Sequence, residues 1–224
     1  MSSRVAGAEA RASMVEWQLR RRGIADDRVL DAMGRVPREL FVPEQLWAHA
    51  YDDGALPIGH GQTISQPFVV ATICSLLALE GGEHVLDVGT GSGYQAAVLA
   101  ELDARVITIE RIPELAEAAR VALVGAGHPE IDVRVGDGSL GVPERAPFDG
   151  IAVAAAAPTV PDTLYSQLAE GGRIVLPRGT RRGQELVLVV RTPGGPVERR
   201  SIPCRFVPLL GDEGFREDPP YGGR

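Results

Sequence analysis

The stretch His84-Val85-Leu86-Asp87-Val88-Gly89-Thr90-Gly91-Ser92-Gly93 decides the fold. Its first half is a short apolar run with β-branched residues, the mark of a buried strand. Three glycines follow at alternate positions. Glycine lets a backbone turn sharply with positive φ and lets a ligand approach main-chain N–H groups. From Tyr94 to Leu102 the apolar residues Ala96, Ala97, Val98, Leu99 and Ala100 keep a helical period. Strand, glycine turn and helix make the cofactor corner of an α/β sheet. A tight turn with no ligand is the plain alternative.

The same alternation continues downstream. Strand patterns recur near residues 105–110, 131–135, 149–154, 172–177 and 185–191, with helical patterns between several of them. This implies a mostly parallel sheet with helices on both faces. Val197 to Val207 is a candidate last strand, parallel or antiparallel. Upstream, residues 1–80 read as a mainly helical segment, frayed over 1–12, with Asp26 or Asp27 placed to cap the helix of Val29, Leu30 and Met33. Residues 81–211 form the α/β core, and the polar stretch 212–224 reads as a loose tail.

Composition narrows the function. The chain has 224 residues, 44% of them hydrophobic, and a net charge of −7. The acidic balance argues against nucleic acid as a partner. Cys74 and Cys204 stand in unrelated apolar contexts, as in a reducing cytoplasm. The four histidines show no metal-ligand spacing, so no metal is expected. The N-terminus lacks the apolar core of a signal peptide, and no run of about 20 apolar residues could span a membrane. A cytoplasmic monomer with no membrane partner is the expectation.

The glycine spacing separates cofactors. A dinucleotide fingerprint needs glycine or another small residue at position 94, where this chain has Tyr94. No Gly-Lys-Ser/Thr follows, which excludes a P-loop. Gly89-Thr90-Gly91-Ser92-Gly93 after Asp87 resembles the S-adenosylmethionine loop of class I methyltransferases, and so implies a Rossmann-like fold. Glu110 ends the second strand about 20 residues past the loop, where such folds place an acid on the ribose hydroxyls. It could equally be a helix N-terminal acid ahead of Pro113. Asp137, in Gly136-Asp137-Gly138, is placed either to accept from an adenine amine or merely to make a turn.

With these residues placed, nearly the whole chain, from about Met14 to about Asp212, resembles the protein-L-isoaspartate (D-aspartate) O-methyltransferase family. The matching segments include Val36-Pro37-Arg38-Glu39, Phe41-Val42-Pro43, Leu56-Pro57-Ile58-Gly59, Gln62-Thr63-Ile64-Ser65-Gln66-Pro67, Gly136-Asp137-Gly138 and Phe206-Val207-Pro208-Leu209. The Thr-Ile-Ser-Gln-Pro segment is specific to that family, whereas the glycine loop is common to many methyltransferases.

The resemblance implies methyl transfer from S-adenosylmethionine, leaving S-adenosylhomocysteine. The acceptor would be the free α-carboxylate of L-isoaspartyl residues in damaged proteins and peptides, with D-aspartyl residues left open. It implies Ser65 as the catalytic residue. Cofactor contacts are implied at Gln62, Thr63, Ile64, Asp87, Gly89, Thr90, Gly91, Ser92, Gly93, Glu110, Asp137 and Gly138, and substrate contacts at Thr63, Ser65, Val207, Pro208 and Leu209. The substrate carboxylate is already ionised at neutral pH, so Ser65 reads as an orienter and not a nucleophile; the other reading is a helix N-cap ahead of Pro67.

Asp218-Pro219-Pro220-Tyr221 spells the motif of amino-methyltransferases that act on adenine or glutamine amides. There it ends the fourth strand, whereas here it lies near the C-terminus, so coincidence is the better reading. A class I methyltransferase acting on a small molecule and a nucleotide-binding module without turnover are the remaining rivals, and the Ser65 segment speaks against both.

Overall fold

The computed structural model describes residues 2–180 and 182–216, with side chains from residue 7 onward. Helix α1 spans Ser2–Ser13, so the segment expected to fray is helical, in keeping with its alanine content. The helix runs on through a wider π-type stretch, Met14–Leu19, and a 3₁₀ turn, Arg20–Arg22, and stops at Gly23 with φ of 98°. Helix α2, Asp27–Arg35, starts on Asp26, whose carboxylate accepts from the N–H groups of Arg28 and Val29.

The N-terminal segment also contains a hairpin that its helical pattern did not foretell. Strands β1 (Leu56–Gly59) and β2 (Gln62–Ile64) pair antiparallel around His60-Gly61. Both turn residues have positive φ, 52° and 71°, as a two-residue hairpin of the primed type requires. Helix α3, Pro67–Leu77, follows with Pro67 in its first turn.

Strands β3 (His84–Val88), β4 (Arg105–Glu110), β5 (Asp132–Val135), β6 (Phe148–Val153), β7 (Leu168–Gly179), β8 (Gln184–Thr192) and β9 (Gly195–Cys204) form one sheet in the order β5-β4-β3-β6-β7-β8-β9. The first five run parallel, while β8 and β9 are antiparallel additions. The link from β7 to β8 is too short for a crossover helix, so β8 must return antiparallel.

Helices α4 (Tyr94–Glu101), α5 (Pro113–Ala126) and α6 (Asp162–Ser166) complete the layers. Val85 packs into the cluster that holds Ile73, Val98 and Leu99, whereas Leu86 and Val88 pack into the one that holds Ile151, Leu164 and Ile174. The strand thus buries both faces, as its continuous apolar run requires. Strand order reverses between β3 and β6, and ligands bind in the crevice at the carboxyl ends of strands at such a point. No helix among the described residues is long and apolar enough to cross a membrane.

Residues 212–216 are not a loose tail. The Asp212 N–H donates to the Asp137 carboxylate and the Glu213 N–H to the Ser139 hydroxyl. The Glu213 carboxylate accepts from the N–H and hydroxyl of Thr163, in the first turn of α6. That helix starts at Pro161 with no cap of its own, and Glu213 supplies one from a distant part of the chain. The rest of the expected tail, including Asp218-Pro219-Pro220-Tyr221, lies outside the described residues.

Candidate active site

The glycine loop leaves β3 and is tied to its neighbour. The Gly89 N–H donates to the Ile109 carbonyl at 2.9 Å, and Gly89 and Gly93 hold φ of 91° and 90°. A Cβ on Gly93 would also stand 3.2 Å from the Leu123 side chain, so glycine is required there by both backbone and packing.

Beneath the loop lies a buried polar chain. Gln95 Nε2 donates to one Asp87 oxygen at 2.8 Å and the Thr108 hydroxyl donates to the other at 2.7 Å. The Thr108 and Thr90 hydroxyls are 2.6 Å apart. Asp87 is fully buried, and burial pushes its carboxyl up to about 6 against the opposing pull of these donors.

Glu110 closes the other side of the loop. One carboxylate oxygen accepts from the Gly91 N–H at 2.9 Å and the other from the Ile112 N–H at 3.0 Å. The acid clamps the loop to the end of β4 while remaining on the wall of a cavity.

That cavity holds about 860 Å³ of space including its open mouth. Gln62, Thr63, Ile64 and Ser65 form one wall; Gly89, Thr90, Gly91, Ser92 and Glu110 form another; Gly138, Val207, Pro208 and Leu209 complete it. Among the described residues the Ser65 hydroxyl makes no hydrogen bond within the protein. A second cavity adjoins the Ser65 segment, with Asp53, Gln66, Val69, Arg205 and Phe206 in its lining. Thr63, Ser65, Ala154 and Val207 belong to both.

A family model described as protein-L-isoaspartate(D-aspartate) O-methyltransferase matches residues 10–214. The chain belongs to the protein-L-isoaspartate(D-aspartate) O-methyltransferase family. A protein-L-isoaspartate O-methyltransferase 2 from Marinobacter nauticus is 56% identical over 93% of this chain and 96% of its own length. One from Aeropyrum pernix is also 56% identical, over 94% and 83%. Among solved structures, a protein-L-isoaspartate O-methyltransferase superposes with a TM-score of 0.79 at 29% identity, covering 90% of this chain and 66% of that one. A Plasmodium falciparum protein assigned to the same activity, solved with S-adenosyl-L-homocysteine, gives 0.79 at 27% identity, over 89% and 98%. The parallel core of this isoaspartyl methyltransferase family member is thus that of class I methyltransferases, as the glycine loop implied.

Three residues expected at the cofactor are not on the cavity wall. Asp87 is buried behind the loop, with both oxygens taken by Gln95 and Thr108. Gly93 is turned to α5. Asp137 sits beside a neighbouring hollow, where its carboxylate accepts from Ser139 N and Oγ and from Asp212 N. For Asp137, the turn reading describes the observed bonds. The capping reading of Ser65 is not realised, because Gln66 occupies the N-cap position of α3 and caps with no side chain. Conversely, Ile112, Ala154, Ala155 and Leu210 line the cavity without having been singled out. Their positions, just past the ends of β4 and β6 and just past Leu209, were the available signal.

Proposed function

We infer that this chain is a protein repair methyltransferase that uses S-adenosylmethionine to esterify the free α-carboxylate of L-isoaspartyl residues in proteins and peptides. One observation supports the division of labour: two cavities meet at Thr63, Ser65, Ala154 and Val207. The glycine-loop cavity suits the cofactor and the second suits the isoaspartyl chain, so that the methyl group crosses at the shared wall.

The residues fit the cofactor. The Glu110 carboxylate shares its cavity with Ile109, Ile112 and Leu210, a set suited to ribose hydroxyls and a flat heterocycle. Its two backbone partners leave lone pairs for the hydroxyls, since an ionised carboxylate offers about four acceptor sites. Main-chain groups of Gly89–Gly93, with Gln62, Thr63 and Ile64 opposite, would hold the remainder. When bound, S-adenosylmethionine supplies an electrophilic methyl group.

The chain's own task is positioning. A free α-carboxylate has a pKa of about 3.5, so it reaches the site ionised and needs no general base. The Ser65 hydroxyl, unbonded among the described residues, donates to one carboxylate oxygen and sets the direction of the other. Val207, Pro208 and Leu209 cover the acceptor and keep water out, which strengthens each polar contact inside. Cyclisation of the ester to a succinimide, and hydrolysis to aspartate or isoaspartate, then require no residue of this chain. We read it as a monomer working in the cytoplasm, away from nucleic acid and membrane: its two free thiols fit a reducing compartment and its net charge of −7 disfavours a nucleic-acid partner.

Methyl transfer to an isoaspartyl peptide beside its aspartyl twin tests the reading. The isoaspartyl peptide should be methylated and its twin should not, with a D-aspartyl peptide as a third arm. Equal turnover of the twins, or none of either, would remove the proposal.

A further inference from the structure

We propose that Arg38 is a positioning residue of this site, acting through the main chain of Ser65; the inference rests on the function proposed above. Arg38 lies on a 3₁₀ turn, Arg38–Phe41, and its side chain is fully buried. Its Nε donates to the Ala50 carbonyl at 2.7 Å and its Nη2 to the Ser65 carbonyl at 2.8 Å. The guanidinium carbon stands 4.8 Å from the ring centre of Tyr94, the first residue of α4 after the glycine loop. Among the described residues no carboxylate pairs with it, and its Nη1 has no partner.

Stability is a weak account of such a residue, because its two bonds and ring contact must first offset the cost of burying the charge. A buried charge loses its hydration and is commonly no better than an apolar side chain of the same volume. Burial accordingly holds the Arg38 pKa below its usual range. With no counter-charge and one N–H group idle, the guanidinium is poorly compensated as a core element. What it does hold is specific. A charge-assisted bond on the Ser65 carbonyl fixes the peptide plane between Ser65 and Gln66, in a loop whose Ser65 side chain has no hydrogen bond among the described residues. The stack on Tyr94 sets that loop against the start of α4. One side chain thereby spaces the substrate-side loop from the cofactor-side loop.

Kinetics of a double-mutant cycle test this. In Arg38→Met, which keeps the stem and removes both donors, kcat for an isoaspartyl peptide should fall on the order of 100-fold, because small misplacements at a reacting centre cost about that much. Binding of S-adenosylhomocysteine, measured by calorimetry well below the variant's melting temperature, should be unchanged. Arg38→Lys should recover part of kcat, since one ammonium can still reach a carbonyl. In a Ser65→Ala background, Arg38→Met and Arg38→Lys should each add little, as expected of residues acting on one step. Should Arg38→Met not fold, Arg38→Lys carries the cycle. Wild-type kcat in either folded variant would overturn the inference, and so would additive losses or a parallel fall in S-adenosylhomocysteine affinity. Absence of turnover in the wild type would instead remove the function and this inference with it.

Discussion

Glu110 carries two jobs whose energies can be separated. In the structure its carboxylate accepts from the N–H groups of Gly91 and Ile112 at 2.9 and 3.0 Å, and it is 6% exposed. Replacing it with alanine leaves two main-chain donors with no partner inside the protein. Bonds to a charged group are each worth about 1.5–3 kcal/mol, and part of this will be recovered by water entering from the cavity. A loss of stability of about 2 kcal/mol is therefore expected. Cofactor binding should weaken by a further amount of about 2–4 kcal/mol if the same carboxylate also accepts from the ribose hydroxyls, or roughly 30- to 1,000-fold in Kd.

Glu110→Gln divides the effects more finely. Its amide oxygen can keep one N–H partner, while its NH₂ group faces the other and repels it. Chemical denaturation measures the first quantity, and calorimetry with S-adenosylhomocysteine the second. A folded Glu110→Ala with lowered stability but unchanged affinity would refute the ribose role, and the acid would then serve the loop alone.

Three further outcomes are expected. Ser65→Ala should lower isoaspartyl methylation by about 10- to 100-fold, the worth of one orienting hydroxyl, and mass spectrometry should find no methylated enzyme after incubation with cofactor alone. For Asp87, the folded state holds its proton up to about pH 6 while the unfolded chain releases it near pH 4; stability from this group therefore falls as pH rises through that window, by about 3 kcal/mol. Asp87→Asn should flatten the corresponding part of the denaturation profile, and an unaltered slope would show that another group titrates. Glu213→Ala should cost about 1 kcal/mol by uncapping α6, and deleting 213–224 should cost at least as much, read as a lower melting temperature.

The sequence made the central corner legible because its signals are local. A β-branched run, three alternating glycines and a helical period each act within a few residues, and all agree on the end of β3. The antiparallel return of β8 was legible too, had the short link around Arg182-Gly183 been weighed as too brief for a helix. Asp87 and Asp137 stand off the cavity wall for another reason. Their spacing relative to the loop is right, but which way a carboxylate points depends on partners far along the chain: Thr108 for the first, Asp212 for the second. The segment holding Arg38 matched the family, but nothing local showed that its side chain is buried, because an arginine on a short turn between two prolines reads as surface.

The residue that excluded a dinucleotide also explains how the two loops are joined. A dinucleotide fold needs a small residue where this chain has Tyr94. Here the first turn of α4 does different work at three successive positions. Gly93 lets the turn pack within reach of Leu123, Tyr94 stacks under Arg38, and Gln95 donates to Asp87. The first contact seats the loop on α5, the second reaches the Ser65 segment, and the third anchors the buried chain beneath Thr90. A small residue at 94 would free the second contact and let the substrate-side loop drift relative to the cofactor loop. On the function proposed above, the tyrosine belongs to a site in which two loops are held at a fixed distance so that one group can cross between them.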